Sequence, residues 1–329
     1  MTVRVPWFDV ARGICILLVV IGHVYESLTT ERILISRVGQ WFLYSIYTFH
    51  VPALFFLAGL NFNIMATSKY VSILNTLSRI AVPYVLWSYL QGGLMAIVPG
   101  THLNIGWSEL LFIPILPQAQ LWFLWSLALF RVISVVVPLT ILNVLAMLAV
   151  LASFLGDRTE ITWRSAYYFF FFVAGLGLDR VAVSKIVQSS RTNSITPIVI
   201  LLLPACIFIT GTLDGLARYS ALSLVPAILG TMAVMLASAL INDCRPLAYL
   251  GRNSLAILAM HVIAGGAVRI LLLSSDLNLP HIWLMSAVFL AAILGPIVVI
   301  RVLDFYNLSH IVGFDDRIRS RSLRKSYKS

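Results

Sequence analysis

The stretch Asp9-Val-Ala-Arg-Gly-Ile-Cys-Ile-Leu-Leu-Val-Val-Ile-Gly-His23 decides how the rest of the chain is read. Its centre is an unbroken apolar run of the kind that crosses a bilayer, which needs about 20 apolar residues. Yet it carries an acid, a guanidinium and an imidazole, all costly in hydrocarbon. On a helix, residues 11 apart differ by about 1100°, close to three full turns, so Arg12 and His23 point the same way. Asp9, three residues before Arg12, joins the same stripe. A polar stripe on a lipid-embedded helix belongs against the protein interior or a wet cavity.

Composition extends this reading to the whole chain. Of 329 residues, 60% are hydrophobic and 11% charged, with a mean hydropathy of +0.95. Soluble domains are about half apolar and a quarter charged, so the surplus exceeds what a soluble core can hold. The expected fold is all-α: a polytopic membrane helical bundle of about ten transmembrane helices. They are expected near 8–28, 41–62, 79–98, 120–137, 139–155, 163–178, 195–211, 220–241, 253–273 and 282–303. Residues 1–305 read as one membrane domain and 306–329 as a basic cytoplasmic tail.

The net charge of +10 does not signal nucleic acid, because the basic residues sit between apolar runs and in the tail RIRSRSLRKSYKS. With ten spans, 17 Lys and Arg fall on the side of both termini and 6 on the other. The positive-inside bias therefore places both ends in the cytoplasm. The N-terminal run has no A-x-A-like site after it and reads as a retained span rather than a cleaved leader. Cys15, Cys206 and Cys244 show no metal or disulfide spacing, and no metal site is expected. The segment 99–119, rich in Pro and Trp, reads as an outer re-entrant or interfacial lid.

Helical rise sets the chemistry of the first span. Arg12 and His23 are separated by roughly 16 Å, too far to act on one atom. A ligand touching both must be long and enter from the cytoplasmic end. Taken alone, Arg12 reads equally well as a snorkelling flank. The second span contains Phe49-His50-Val-Pro-Ala-Leu-Phe-Phe-Leu-Ala-Gly59, which sets His50 at the depth of His23, where Pro52 loosens the helix. Two imidazoles at one depth suggest a site. Arg79, before Pro83-Tyr84, starts the third span; Gln120-Leu-Trp122-Phe-Leu-Trp125 starts the fourth. Gly251-Arg252-Asn253-Ser254 opens the ninth, with Ser254 and His261 seven apart and hence on one face. P-loop, dinucleotide and zinc-hydrolase motifs are missing from the sequence.

Taken in order, these blocks resemble the acyltransferase 3 family of integral membrane acyltransferases over most of the chain. Its mark is an Arg and a His with ten residues between them in the first span, here Arg12 and His23. The Trp7-Phe-Asp9 start resembles the fucose 4-O-acetylase-like branch. Ala58 stands where many members carry Ser. The resemblance implies an O-acyltransferase that moves an acetyl group from cytoplasmic acetyl-CoA to a sugar hydroxyl of a surface glycan or glycolipid. The setting would be a bacterial cytoplasmic membrane. Acetyl-CoA would be a donor substrate, with no permanently bound cofactor. Partners would be that donor, a glycan acceptor and the bilayer, with homo-oligomer formation left open.

The expected roles follow. His23, His50 and Asp9 form the catalytic set, His23 acting as general base or as a transient acetyl carrier. Arg12, Arg79, Arg252, Ser254 and His261 bind the cofactor. Trp122 and Trp125 stack on the sugar. The rival reading is a glycolipid or polysaccharide transporter or flippase without acyl transfer.

Overall fold

The computed structural model describes residues 6–31, 33, 36–63, 68–98, 110–157, 160–192, 195–275, 277, 279–309, 312 and 314. The described residues hold helices and no strand, as lipid requires of an open chain. In chain order they are α1 (Pro6–Thr30), α2 (Arg37–Leu60), α3 (Lys69–Ile97), α4 (Ala119–Val136), α5 (Leu139–Ser153) and α6 (Ile161–Leu176). Then follow α7 (Arg180–Ser189), α8 (Ile195–Leu213), α9 (Leu224–Leu240), α10 (Arg245–Arg252), α11 (Ser254–Leu273) and α12 (His281–Phe305).

Every expected span coincides with a helix. Seven of the described helices are long and apolar enough to cross a membrane: α1–α4, α8, α11 and α12. By contrast α5, α6 and α9 have 15, 16 and 17 residues. At 1.5 Å per residue they span roughly 22–26 Å, short of a hydrocarbon core of about 30 Å. Two helices were not foreseen, α7 and α10. Both are short and more polar than the spans, so an apolar-window reading passes over them.

Local chemistry fixes several boundaries. Ser36 Oγ accepts the Gly39 N–H (2.9 Å) at the start of α2, and Asp179 Oδ1 accepts the Ala182 N–H (2.7 Å) at the start of α7. In α3, Pro83 has no N–H to give to the Arg79 carbonyl. The helix widens into a π-turn over Leu77–Ala81, with the Val82 N–H bonded to the Leu77 carbonyl. That widened turn carries Arg79. Between α10 and α11 a single residue, Asn253, breaks the run, its side chain donating to the Tyr249 carbonyl (2.9 Å).

Small residues bring the backbones together, as membrane interfaces require. A Cβ on Gly59 or Gly175 would run into the backbone of the partner helix at the α2–α6 crossing. The α1–α10 contact has the same form, with Gly13 against the Leu247 carbonyl and Gly251 against that of Asp9. Gly251→Leu is expected to cost about 1–3 kcal/mol by overpacking. A fall in the unfolding temperature of the micellar protein checks it; an unchanged transition would contradict this packing. Buried hydroxyls add ties: Ser126 to Ser165 (2.8 Å) between α4 and α6, and Tyr44 to Thr210 (3.2 Å) between α2 and α8.

Of the segment expected to form a lid, residues 99–109 lie outside those described. The remainder runs back into the bundle: Tyr84 Oη donates to the Ile113 carbonyl, and Trp125 Nε1 donates to that of Pro114 (3.2 Å). Residues after α12 also fold inward. Phe314 stacks on Trp87 (5.4 Å), and Trp87 Nε1 donates to the Val312 carbonyl. The basic run 315–329 lies outside the described residues.

Candidate active site

Among the described residues, two cavities that open in the bundle share no lining residue. The first, of about 280 Å³, is lined by the start of α1, the end of α2, the π-turn of α3, the later part of α4 and the α10–α11 junction. The second, of about 440 Å³, is lined by the later halves of α1, α3 and α11 and by the start of α4. This pattern requires α1, α3 and α11 to run one way and α2 and α4 the other, the alternation expected from the apolar runs. The end of the bundle where α1 starts is called inner below.

Four arginines line the inner cavity: Arg12, Arg79, Arg131 and Arg252. Asn61, Asn253 and Ser254 add polar groups, and among the described residues no carboxylate lines it. Arg12 Nη2 donates to Ser254 Oγ at 2.6 Å, which joins the first helix to a residue 242 positions away. Charge-assisted bonds of this length contribute roughly 1.5–3 kcal/mol. Behind the wall, Arg180 Nη1 donates to Asn61 Oδ1 (2.6 Å) and the Arg180 guanidinium covers the Phe8 ring (5.1 Å). Four guanidinium groups around one partly enclosed space repel one another in a low effective dielectric. A polyanion relieves that repulsion, and Arg is suited to phosphate by its forked donors.

The outer cavity holds His23 and His261, their ring centroids 5.3 Å apart. Behind His23 stands a short relay. Tyr47 Oη donates to Glu26 Oε2 (3.0 Å) and lies 3.5 Å from His23 Nδ1; the Glu26 carboxylate is 3.8 Å from that nitrogen. With Nδ1 turned to this pair, Nε2 is left for a ligand. In His261, Nδ1 faces the carbonyls of Ile257 (2.9 Å) and Leu258 (3.0 Å), so Nδ1 carries the proton and Nε2 keeps its lone pair. Among the described residues that buried Nε2 has no hydrogen-bond partner. At the far end of the cavity Arg269 pairs with Glu31 (3.3 Å).

The expected residues thus divide. Arg12, Arg79, Arg252 and Ser254 come together on the inner cavity. His261, expected in that set, instead lines the outer one beside His23. Its helical position explains this: Leu258, one turn before it, is the outermost α11 residue on the inner wall. His50 is buried against Tyr47 (ring centroids 5.1 Å), with Nδ1 donating to the Ile46 carbonyl (2.5 Å), and lines neither cavity. Asp9 is half-buried where α1 meets Gly251, also off both walls. Trp122 and Trp125 reach neither cavity. Trp122 stacks on Tyr168 (5.4 Å) under the Arg164 guanidinium, and Trp125 is tied to Pro114.

Arg131, Glu26, Tyr47, Gln91 and Gln120 were not assigned from the sequence. A signal existed for Glu26, three residues after His23 on the same face, and for Tyr47, three before His50. No local signal marks the others, whose neighbours come from distant helices. Arg12 and His23 line two neighbouring cavities rather than one and the same. Their linings come within about one helical turn of each other on two helices, from Leu258 to His261 on α11 and from Leu124 to Gln120 on α4.

The helical membrane bundle thus sets an arginine-lined inner cavity near two neighbouring imidazoles. The acyltransferase domain model matches residues 5–301, nearly the whole chain, and the protein belongs to the acyltransferase 3 family. That match covers the family as a whole and does not distinguish a branch. No curated protein and no solved structure matches the chain.

Proposed function

We propose that this acyltransferase moves an acetyl group from acetyl-CoA, bound from the inner face, to a sugar hydroxyl of a surface glycan or glycolipid, with His23 as general base. One observation carries the reading: a cavity lined by four arginines and no described carboxylate reaches Leu258, one helical turn from His261, whose ring centroid lies 5.3 Å from that of His23. Arg12, Arg79, Arg131 and Arg252 would hold the phosphates of CoA. The pantetheine arm would then run past Leu258 and Leu124 and deliver the thioester to His23.

The steps balance as follows. His23 Nε2 takes the proton of the acceptor hydroxyl as its oxygen attacks the thioester carbon. The tetrahedral intermediate collapses, the C–S bond breaks and CoA thiolate leaves. The imidazolium then returns the proton to the sulfur. Tyr47 and Glu26 hold the ring and favour its charged form during the transfer, the part a third group plays in hydrolytic triads. An imidazole suits this exchange because its ordinary pKa lies near neutrality.

The test uses lipid-reconstituted protein, acetyl-CoA, a glycan acceptor and a thiol reagent for free CoA. Acceptor-dependent CoA release is expected; a transporter would give none. Leu258→Trp should block that path and lower release at least about tenfold, while acetyl-CoA still binds the inner cavity. Full release by this variant would mean that the thioester does not pass there.

A further inference from the structure

The outer cavity contains an arrangement that the transfer step does not use. Gln91, late in α3, and Gln120, at the start of α4, are each buried and form a reciprocal amide pair on its wall. Gln91 Nε2 donates to Gln120 Oε1 (3.1 Å), and Gln120 Nε2 donates to Gln91 Oε1 (2.7 Å). An amide has two N–H donors and two acceptor lone pairs, so the pairing consumes half of each. Gln91 Nε2 also faces Met95 Sδ at 4.0 Å, a weak acceptor. Among the described residues, the second N–H of Gln120 and the second lone pair of each amide oxygen have no partner. His261, whose Nε2 is buried with no partner among the described residues, lines the same cavity.

Buried polar groups left in this state cost free energy unless something occupies them. Most of the surrounding wall is apolar: Leu94, Met95, Val98, Val262, Ile263 and Ile270. The amide pair and His261 thus share this cavity with His23, and Glu26, Ser27, Thr30 and Arg269 line it as well. A hydroxyl both donates and accepts, and it is the neutral group that satisfies the spare donor and acceptor positions of the amide pair and His261. The His261 and His23 ring centroids are 5.3 Å apart, so a group held at one ring lies beside the other.

We propose that the Gln91–Gln120 pair and His261 Nε2 form the acceptor subsite and recognise the hydroxyl next to the one acylated, which restricts acceptors to vicinal diols of a sugar ring. This rests on the acetyl-transfer reading above. The neighbouring hydroxyl donates to His261 Nε2 and accepts from Gln120 Nε2–H, and that aims its partner hydroxyl at His23. The apolar walls take the C–H faces of the ring. The amide pair is a specificity device; it touches no reacting atom.

The probes are methyl pyranosides bearing vicinal diols, each matched with the monodeoxy analogue that lacks the neighbouring hydroxyl. Acceptor-dependent CoA release from acetyl-CoA is measured for both members of each pair with lipid-reconstituted protein. For the wild type, loss of the neighbouring hydroxyl should lower kcat/KM by about tenfold or more, since a site built to bond a hydroxyl rejects the analogue without it. In Gln120→Leu and in Gln91→Leu the two should differ by no more than about threefold, because the first loses the Gln120 N–H that discriminates and the second loses the amide that holds it in place. Partial misfolding would lower both rates together and leave the ratio in place, so the ratio separates recognition from damage. A wild type that treats both acceptors alike, variants that keep the wild-type ratio, or a wild type that acylates a polymer but no pyranoside would each overturn the subsite. CoA release with no acceptor of any kind would overturn the acetyl-transfer reading as well, an outcome distinct from a preserved ratio.

Discussion

His23→Ala is expected to lower acetyl transfer by roughly 10²- to 10⁴-fold, the range over which a positioned general base acts. That corresponds to about 3–5 kcal/mol of transition-state stabilisation. The loss should fall on kcat, because His23 lines the outer cavity and contacts none of the arginines on the inner one. The fold should tolerate the change. Tyr47 keeps its bond to Glu26 (3.0 Å), so no buried hydroxyl is left unpaired by the missing ring. Acceptor-dependent CoA release by the reconstituted variant measures the effect. Transfer at the wild-type rate would remove His23 from the chemistry and leave His261, 5.3 Å away, as the imidazole to consider.

Arg12→Ala should act on the other end. We expect the KM for acetyl-CoA to rise about 10- to 100-fold, the equivalent of one lost charge-assisted bond to a phosphate. The effect on kcat should be smaller, because residue 12 lies roughly 16 Å below His23 along α1. Arg12→Lys should restore little, since an ammonium cannot reproduce the forked donors. Raising ionic strength should raise the wild-type KM in the same direction, as expected where arginines near the inner opening attract a polyanion. Titration with acetyl-CoA at two salt concentrations reads both effects. A KM unchanged by the substitution would separate the inner cavity from CoA.

The two predictions draw on features of unequal legibility. The spans are legible because lipid imposes a local rule: each crossing must be a helix with an apolar surface, and that pattern is written in consecutive residues. The stripe of Arg12 and His23 is legible for the same reason, since helical periodicity alone aligns them. Where the rule weakens, the reading does too. The polar helices α7 and α10 go unseen although α10 supplies Arg252 to the inner cavity. Trp122 and Trp125 were read as sugar platforms from their place near a membrane interface. The Trp122 ring is instead covered by Tyr168 and Arg164, and the Trp125 N–H is bonded to the Pro114 carbonyl, contacts that depend on how α4 is rotated.

The sequence by itself determined the helical membrane fold, the order of its spans, and the first-helix stripe that points to acyl transfer. The tertiary structure alone decided that Arg12 meets Ser254, that Gln91 meets Gln120, and that His261 stands with His23. Periodicity fixes which residues of one helix share a face. Which faces meet depends on where helices cross, and those crossings are set by close backbone approaches such as Gly13 on Leu247 and Gly251 on Asp9, made by residues more than 200 positions apart.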